Sequence, residues 1–252
     1  MLHRLSLPLA IVFLLVNCCA YAQDTTLRTG PYETTGTAKD ILGKELSSKY
    51  SHLIDLDLDI TWEIDVPDDY DPKNPPGVMV YISPQNIVNL PTGWLDVTDE
   101  KNLIFIAARK SGNNEPVGSR IVMALLALPL VQSSYTINTD RIFISGFSGG
   151  GRVASMVSTS FPHIFKGALY SCGANFWQDV NIEQMENIQN NRFVFLTGTN
   201  DFNLNDTKKV YSKYKKAGAT NSKLMVIPRM GHSNPKRTKF AQAIEYLDAA
   251  ER

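Results

Sequence analysis

A serine hydroxyl becomes a nucleophile only beside a base and on a backbone that exposes it. The stretch ISGFSGGGR (144–152) offers Ser148 in such a setting. Gly146, Ser148 and Gly150 fit the spacing G-x-S-x-G, which carries meaning only between a strand and a helix. Here RIFISG (141–146) reads as the strand and GGRVASMVSTS (150–160) as the helix. The spacing has a physical reason. A serine on so sharp a bend is strained, and bulky residues two positions away on either side would collide. The amino end of the helix also aims free N–H groups and a positive dipole at charge developing beside the serine.

A base must come from elsewhere in the chain. Beyond the first 22 residues the histidines are His52, His163 and His232. His52 precedes the main run of strands, and His163 follows the helix that the serine opens. Only His232, in IPRMGHSNP (227–235), stands on a loop directly after a late strand and before the last helix. In a parallel sheet such a loop opens on the edge where ligand sites gather. The base in turn needs an acid to fix its tautomer and stabilise the imidazolium. FVFLTGTNDFN (193–203) places Asp201 just past another buried strand, and Asp179 in NFWQD (175–179) is the alternative. Asp206 reads as the start of the next helix. Ser148, Asp201 and His232 thus form a candidate nucleophile, acid and base, in that chain order.

The elements that must position them follow a βαβ rhythm. VMVYI (78–82), LIFIAA (103–108), RIFISG (141–146), GALYSC (167–172), FVFLTG (193–198) and KLMVIP (223–228) are short continuous apolar runs. Such runs are strands buried on both faces, as in a parallel sheet covered by helices. LDLDITWEIDV (56–66) alternates apolar and polar residues, the pattern of a half-exposed strand. Helices are expected over 118–132, 151–160, 205–217 and 235–250, with Pro129 ending or kinking the first. The whole predicts one α/β domain with a mostly parallel, doubly wound sheet over 56–252. Residues 23–55 read as a polar lead-in with one short helix at 38–48.

The chain has 252 residues, 43% of them hydrophobic, and lysine plus arginine balance aspartate plus glutamate at 25 each. That composition supports one sizeable core and provides no global field for nucleic acid or an anionic membrane. Residues 1–22 read as a secretory signal peptide, from Arg4, the apolar run Leu5 to Val16, and Ala20-Tyr21-Ala22 before Gln23. Secretion or periplasmic export is therefore expected, with no membrane span in the mature form. LVNC (15–18) also hints at lipid anchoring on Cys18, although asparagine before that cysteine fits poorly. Cleavage after Ala22 leaves Cys172 as the only cysteine, so no intrachain disulfide can form, and Cys172 reads as a small buried apolar residue. No histidine or cysteine cluster has metal-ligand spacing, and no cofactor is required.

On INTDRIFISGFSGGGRVAS, FLTGTNDFN and IPRMGHSNP, the chain resembles the α/β-hydrolase family. It is most similar to secreted serine esterases of the polyhydroxyalkanoate depolymerase and feruloyl esterase kind, from Leu56 to the C-terminus. The order Ser148, Asp201, His232 is the one that family uses. One departure stands out. The family usually carries a His-Gly pair after the third sheet strand, where this chain has Ser83-Pro84 in VYISPQN (80–86). Proline has no N–H, so the resemblance assigns the oxyanion donors to Gln85 and Gly149. Phe147, Trp177 and Phe202 are candidates for lining a substrate pocket, with Trp94 and Phe176 also flanking the site in sequence. The stretch 83–101 is expected to form a modest loop over the site.

The resemblance implies an exported serine hydrolase cleaving carboxylic esters of small molecules or oligomers through an acyl-enzyme on Ser148. Two alternatives remain open at this point: a serine peptidase acting on small peptides, and a hydrolase-fold binding protein without turnover.

Overall fold

The computed structural model describes residues 27–176 and 182–249; the expected signal peptide, Trp177 and Asp179 lie outside the described residues. Chain order runs β1 (Gly30–Gly36), α1 (Ala38–Ser48), β2 (Ile60–Val66), β3 (Gly77–Ile82), α2 (Trp94–Glu100), β4 (Leu103–Ala108) and α3 (Val117–Gln132). It continues with β5 (Ile142–Phe147), α4 (Gly149–Ser160), β6 (Gly167–Ser171), α5 (Ile182–Asn190), β7 (Arg192–Gly198), α6 (Leu204–Lys216), β8 (Ser222–Ile227) and α7 (Arg237–Leu247). The eight strands form one sheet in the order β1-β2-β4-β3-β5-β6-β7-β8. Pairing is antiparallel from β1 through β2 to β4 and parallel from β4 onward.

The apolar runs become the parallel strands because their side chains enter two cores on opposite faces. Val78, Val80, Ile104, Ile106, Ile142, Ile144, Phe193 and Phe195 face one core, which α1, α3, α4, α5 and α6 cover. Met79, Tyr81, Leu103, Phe105, Phe143, Leu169, Val194 and Leu196 face the other, beneath α2 and α7. Every residue of β3 and β4 is buried, which is why their sequences show no alternation.

Four local features differ from the sequence reading. The stretch 23–55 is more than a lead-in. Within it β1 pairs with β2 along its whole length and forms the sheet's edge, and α1 starts on a Thr37 capping box with Asp40. The alternating run begins its strand at Ile60, not at Leu56, because Asp55 and Asp57 make a turn there: the Asp57 N–H donates to Asp55 Oδ1 at 3.0 Å. Of the two effects expected of Pro129, it does not end α3, which runs to Gln132, the bound expected for it. A proline this near the carboxyl end forfeits one helical hydrogen bond, and burial of Leu125, Leu126, Leu128 and Val131 outweighs it. Finally, 83–101 is not all loop, because α2 occupies 94–100 and is pinned to α7 by Trp94. That indole is 1% exposed, stacks on Phe240 at 3.9 Å, and donates from Nε1 to the Pro235 carbonyl at 2.9 Å.

Candidate active site

The loops after β3, β5, β7 and β8 leave the same carboxyl edge of the sheet, and they bring the proposed residues together. Ser148 lies between β5 and α4 with φ 55° and ψ −118°, a left-handed strained backbone for a residue with a side chain. The two motif glycines make the bend feasible. A Cβ on Gly146 would lie 2.4 Å from the Gly150 carbonyl carbon, and one on Gly150 would lie 2.0 Å from the Ile82 carbonyl oxygen. The elbow is fastened below by the Ser148 N–H, which donates to the Ser171 carbonyl at 2.8 Å.

His232 Nε2 lies 2.9 Å from Ser148 Oγ, and His232 Nδ1 lies 2.8 Å from Asp201 Oδ1. With Asp201 ionised, Nδ1 carries the proton and Nε2 is left to accept from the serine hydroxyl. Asp201 is 5% exposed. Burial alone pushes its carboxyl up. Hydrogen bonds from the Asn203 N–H (3.0 Å) and the Thr197 hydroxyl (2.7 Å), together with the one to His232, overcome that and hold it below the ordinary carboxylate value. The loops that carry Asp201 and His232 are also tied to each other. The Asn200 N–H donates to the Met230 carbonyl at 3.0 Å, and the Arg229 N–H to Thr199 Oγ1 at 2.7 Å.

The other candidates divide. Gly149 is the first residue of α4, where an N–H has no helical acceptor. The Gln85 N–H is already engaged and donates to Ser83 Oγ at 3.0 Å, while the Ser83 hydroxyl donates to the Ile87 carbonyl at 2.8 Å. Gln85 is therefore not a free donor in this arrangement. Its turn is held from behind by Arg120, a buried guanidinium that donates to the Ser111 carbonyl (2.7 Å) and the Ser83 carbonyl (3.2 Å). Phe147 and Phe202 lie against the imidazole of His232: their ring centroids are 5.0 and 4.0 Å from that of His232, and Phe202 is stacked on it while 77% exposed. Trp94 belongs to the core, and Phe176 packs edge-on against Tyr214 at 5.7 Å. Asp206 lies in the first turn of α6, as the sequence reading placed it, and pairs with Arg152 at 3.2 Å. Neither His52 nor His163 is hydrogen-bonded to Ser148; both are exposed.

Sequence reasoning did not find Thr197, Asn203, Arg120 or the contacts of Cys172. Thr197 and Asn203 flank Asp201 by four and two residues, and that proximity was the one available signal.

This strand order, with Ser148 on the turn after β5 and Asp201 and His232 on the loops after β7 and β8, is that of the α/β-hydrolase fold, and the chain has it. No family model matches the chain, and no curated protein matches it. Solved structures do. A ferulic acid esterase superposes with a TM-score of 0.62 at 13% identity, over 87% of this chain and 100% of that one. The feruloyl esterase module from Clostridium thermocellum, complexed with sinapinate, gives 0.61 at 13% identity over 90% and 92%. The LpqC poly(3-hydroxybutyrate) depolymerase from Bordetella parapertussis gives 0.59 at 15% identity over 88% and 90%. The chain spans only 36% of a Bacteroides ovatus dipeptidyl aminopeptidase IV and 52% of a thermostable esterase that share the fold. At these identities the likeness is one of fold. Among the described residues no helix is long and apolar enough to cross a membrane.

Proposed function

We propose that the chain is an exported serine hydrolase that cleaves carboxylic esters. The observation that carries this is the hydrogen-bonded series Ser148 Oγ, His232, Asp201, with links of 2.9 and 2.8 Å at the edge where α/β sheets bind ligands. His232 Nε2 takes the proton from Ser148 as Oγ attacks the ester carbonyl carbon, and the carbonyl π pair moves onto oxygen. The Gly149 N–H, at the amino end of α4, receives that oxyanion. Collapse expels the alcohol oxygen, which takes the proton from the imidazolium, and leaves the acyl group on Ser148. Water, deprotonated by His232, then releases the carboxylic acid and restores the serine. Asp201 remains ionised throughout and holds the tautomer.

Exposed Phe202 and half-buried Phe147 beside the base support a substrate with an apolar or aromatic acyl part. Feruloyl esterases among the structural neighbours favour the same class. The signal-like sequence at 1–22 is the support for export. A binding protein without turnover has no use for three aligned residues. The test is fluorophosphonate labelling of residues 23–252 beside Ser148→Ala, followed by a panel of aryl and alkyl esters set against peptide amides. Labelling lost in the variant, with ester turnover, is the expected result. A folded protein that is never labelled would overturn the reading, and turnover of amides alone would transfer it to peptidases.

A further inference from the structure

Cys172 has no part in the chemistry above, yet it is built into the site. It follows the last residue of β6 and turns the chain at φ 54°, a left-handed conformation that glycine would adopt without strain. Its side chain is 0% exposed. The thiol donates to the carbonyl of Ser233, the neighbour of the base, at 3.3 Å. Its sulfur, a carboxylate oxygen of Asp201 and a ring nitrogen of His232 all lie within 4.8 Å of one another. The backbone is used as well: the Cys172 carbonyl accepts from Asn203 Nδ2 at 2.8 Å, beside the acid. Burial, then the Asp201 carboxylate, push the thiol up to about 12, so it stays a neutral S–H dipole and not a thiolate.

From this geometry we infer that Cys172 is a positioning residue. It sits between the acid loop and the base loop and keeps Asp201 and His232 in register. The inference rests on the hydrolase reading for its kinetic consequence but not for its structural one, so two readouts separate them. Cys172→Ala removes the sulfur, Cys172→Gly removes it and also the backbone strain, and Cys172→Ser keeps a donor. The alanine and glycine variants should lose about tenfold in kcat with KM within about twofold, and the serine variant should recover most of that loss. In parallel, the downfield Nδ1–H proton resonance of His232, which reports its bond to Asp201, should move or broaden in the alanine and glycine variants and return in the serine variant. Unchanged kcat and an unchanged resonance in the glycine variant would overturn the inference. So would equal losses in all three variants, which would mark a packing role alone. A wild type that neither labels nor turns over esters would refute the hydrolase reading, while the resonance comparison would still decide the position of Cys172.

Discussion

Replacing Asp65 by asparagine should stabilise the protein, and more so at pH 8 than at pH 5. Asp65 lies on β2 opposite Phe105 of β4 and Pro31 of β1, and is 9% exposed. With Leu90, Leu95 and Phe105 it lines a solvent-open cavity of about 220 Å³. Arg109, at the same corner, pairs with Glu63 at 2.7 Å and with Glu33, and no hydrogen bond or ion pair among the described residues reaches the Asp65 carboxylate. Burial first, then Asp99, Asp68 and Asp96, push its carboxyl up from 3.8 to about 6. A raised carboxyl means that the folded chain holds the proton more tightly than the unfolded chain. The resulting stabilisation is complete below the unfolded value and is lost as pH rises through about 6. Above that, the ionised group is a net cost. A difference of about two pH units corresponds to about 3 kcal/mol, and water in the cavity screens this to roughly 1–2 kcal/mol. Urea unfolding should therefore place the midpoint of Asp65→Asn higher by roughly 0.5 M at pH 8, with the slope unchanged. By pH 5 the gap should fall to about half. A gap independent of pH, or a variant less stable at pH 8, would refute the reasoning.

Four further outcomes are expected. Gly198→Ala puts a Cβ 1.8 Å from the Met230 carbonyl oxygen and forces the acid and base loops apart; steady-state kinetics should show kcat lower by at least about 100-fold. Thr197→Val removes the 2.7 Å hydroxyl donor from Asp201 Oδ2. It should cost about 1–2 kcal/mol in urea unfolding and roughly tenfold in kcat. Arg120→Met leaves the Ser111 and Ser83 carbonyls without their cationic donor; thermal unfolding should report a loss of about 3 kcal/mol. Phe202→Ala, at a ring 77% exposed, should leave the unfolding free energy from urea titration within about 0.5 kcal/mol of wild type while lowering kcat/KM on aryl esters.

The interior of this fold was legible because burial on both faces imposes apolar runs, as in VMVYI and LIFIAA. Ser148, Asp201 and His232 were legible because each directly follows such a run. Where those two signals fail, reading failed too. β1 is GPYETTG, an edge strand whose side chains alternate between half-buried and exposed, and only its register with β2 makes it a strand. Helix α2 is held by Trp94 against Phe240, partners far apart in sequence. The occupied Gln85 N–H depends on how one serine hydroxyl rotates, which no pattern of residue types encodes. Cys172 looked like an ordinary core residue because its burial was legible while its neighbours were not.

The mature form expected here would carry one thiol, at Cys172, wholly shielded beneath the site. A thiol reagent can reach it only when the β6–β7 corner opens. The modification rate, divided by the rate for a free thiol, then gives the opening equilibrium of that corner in native conditions. Such a mature form would carry its own single-site clock for breathing beside Asp201 and His232, readable without a substrate or a denaturant.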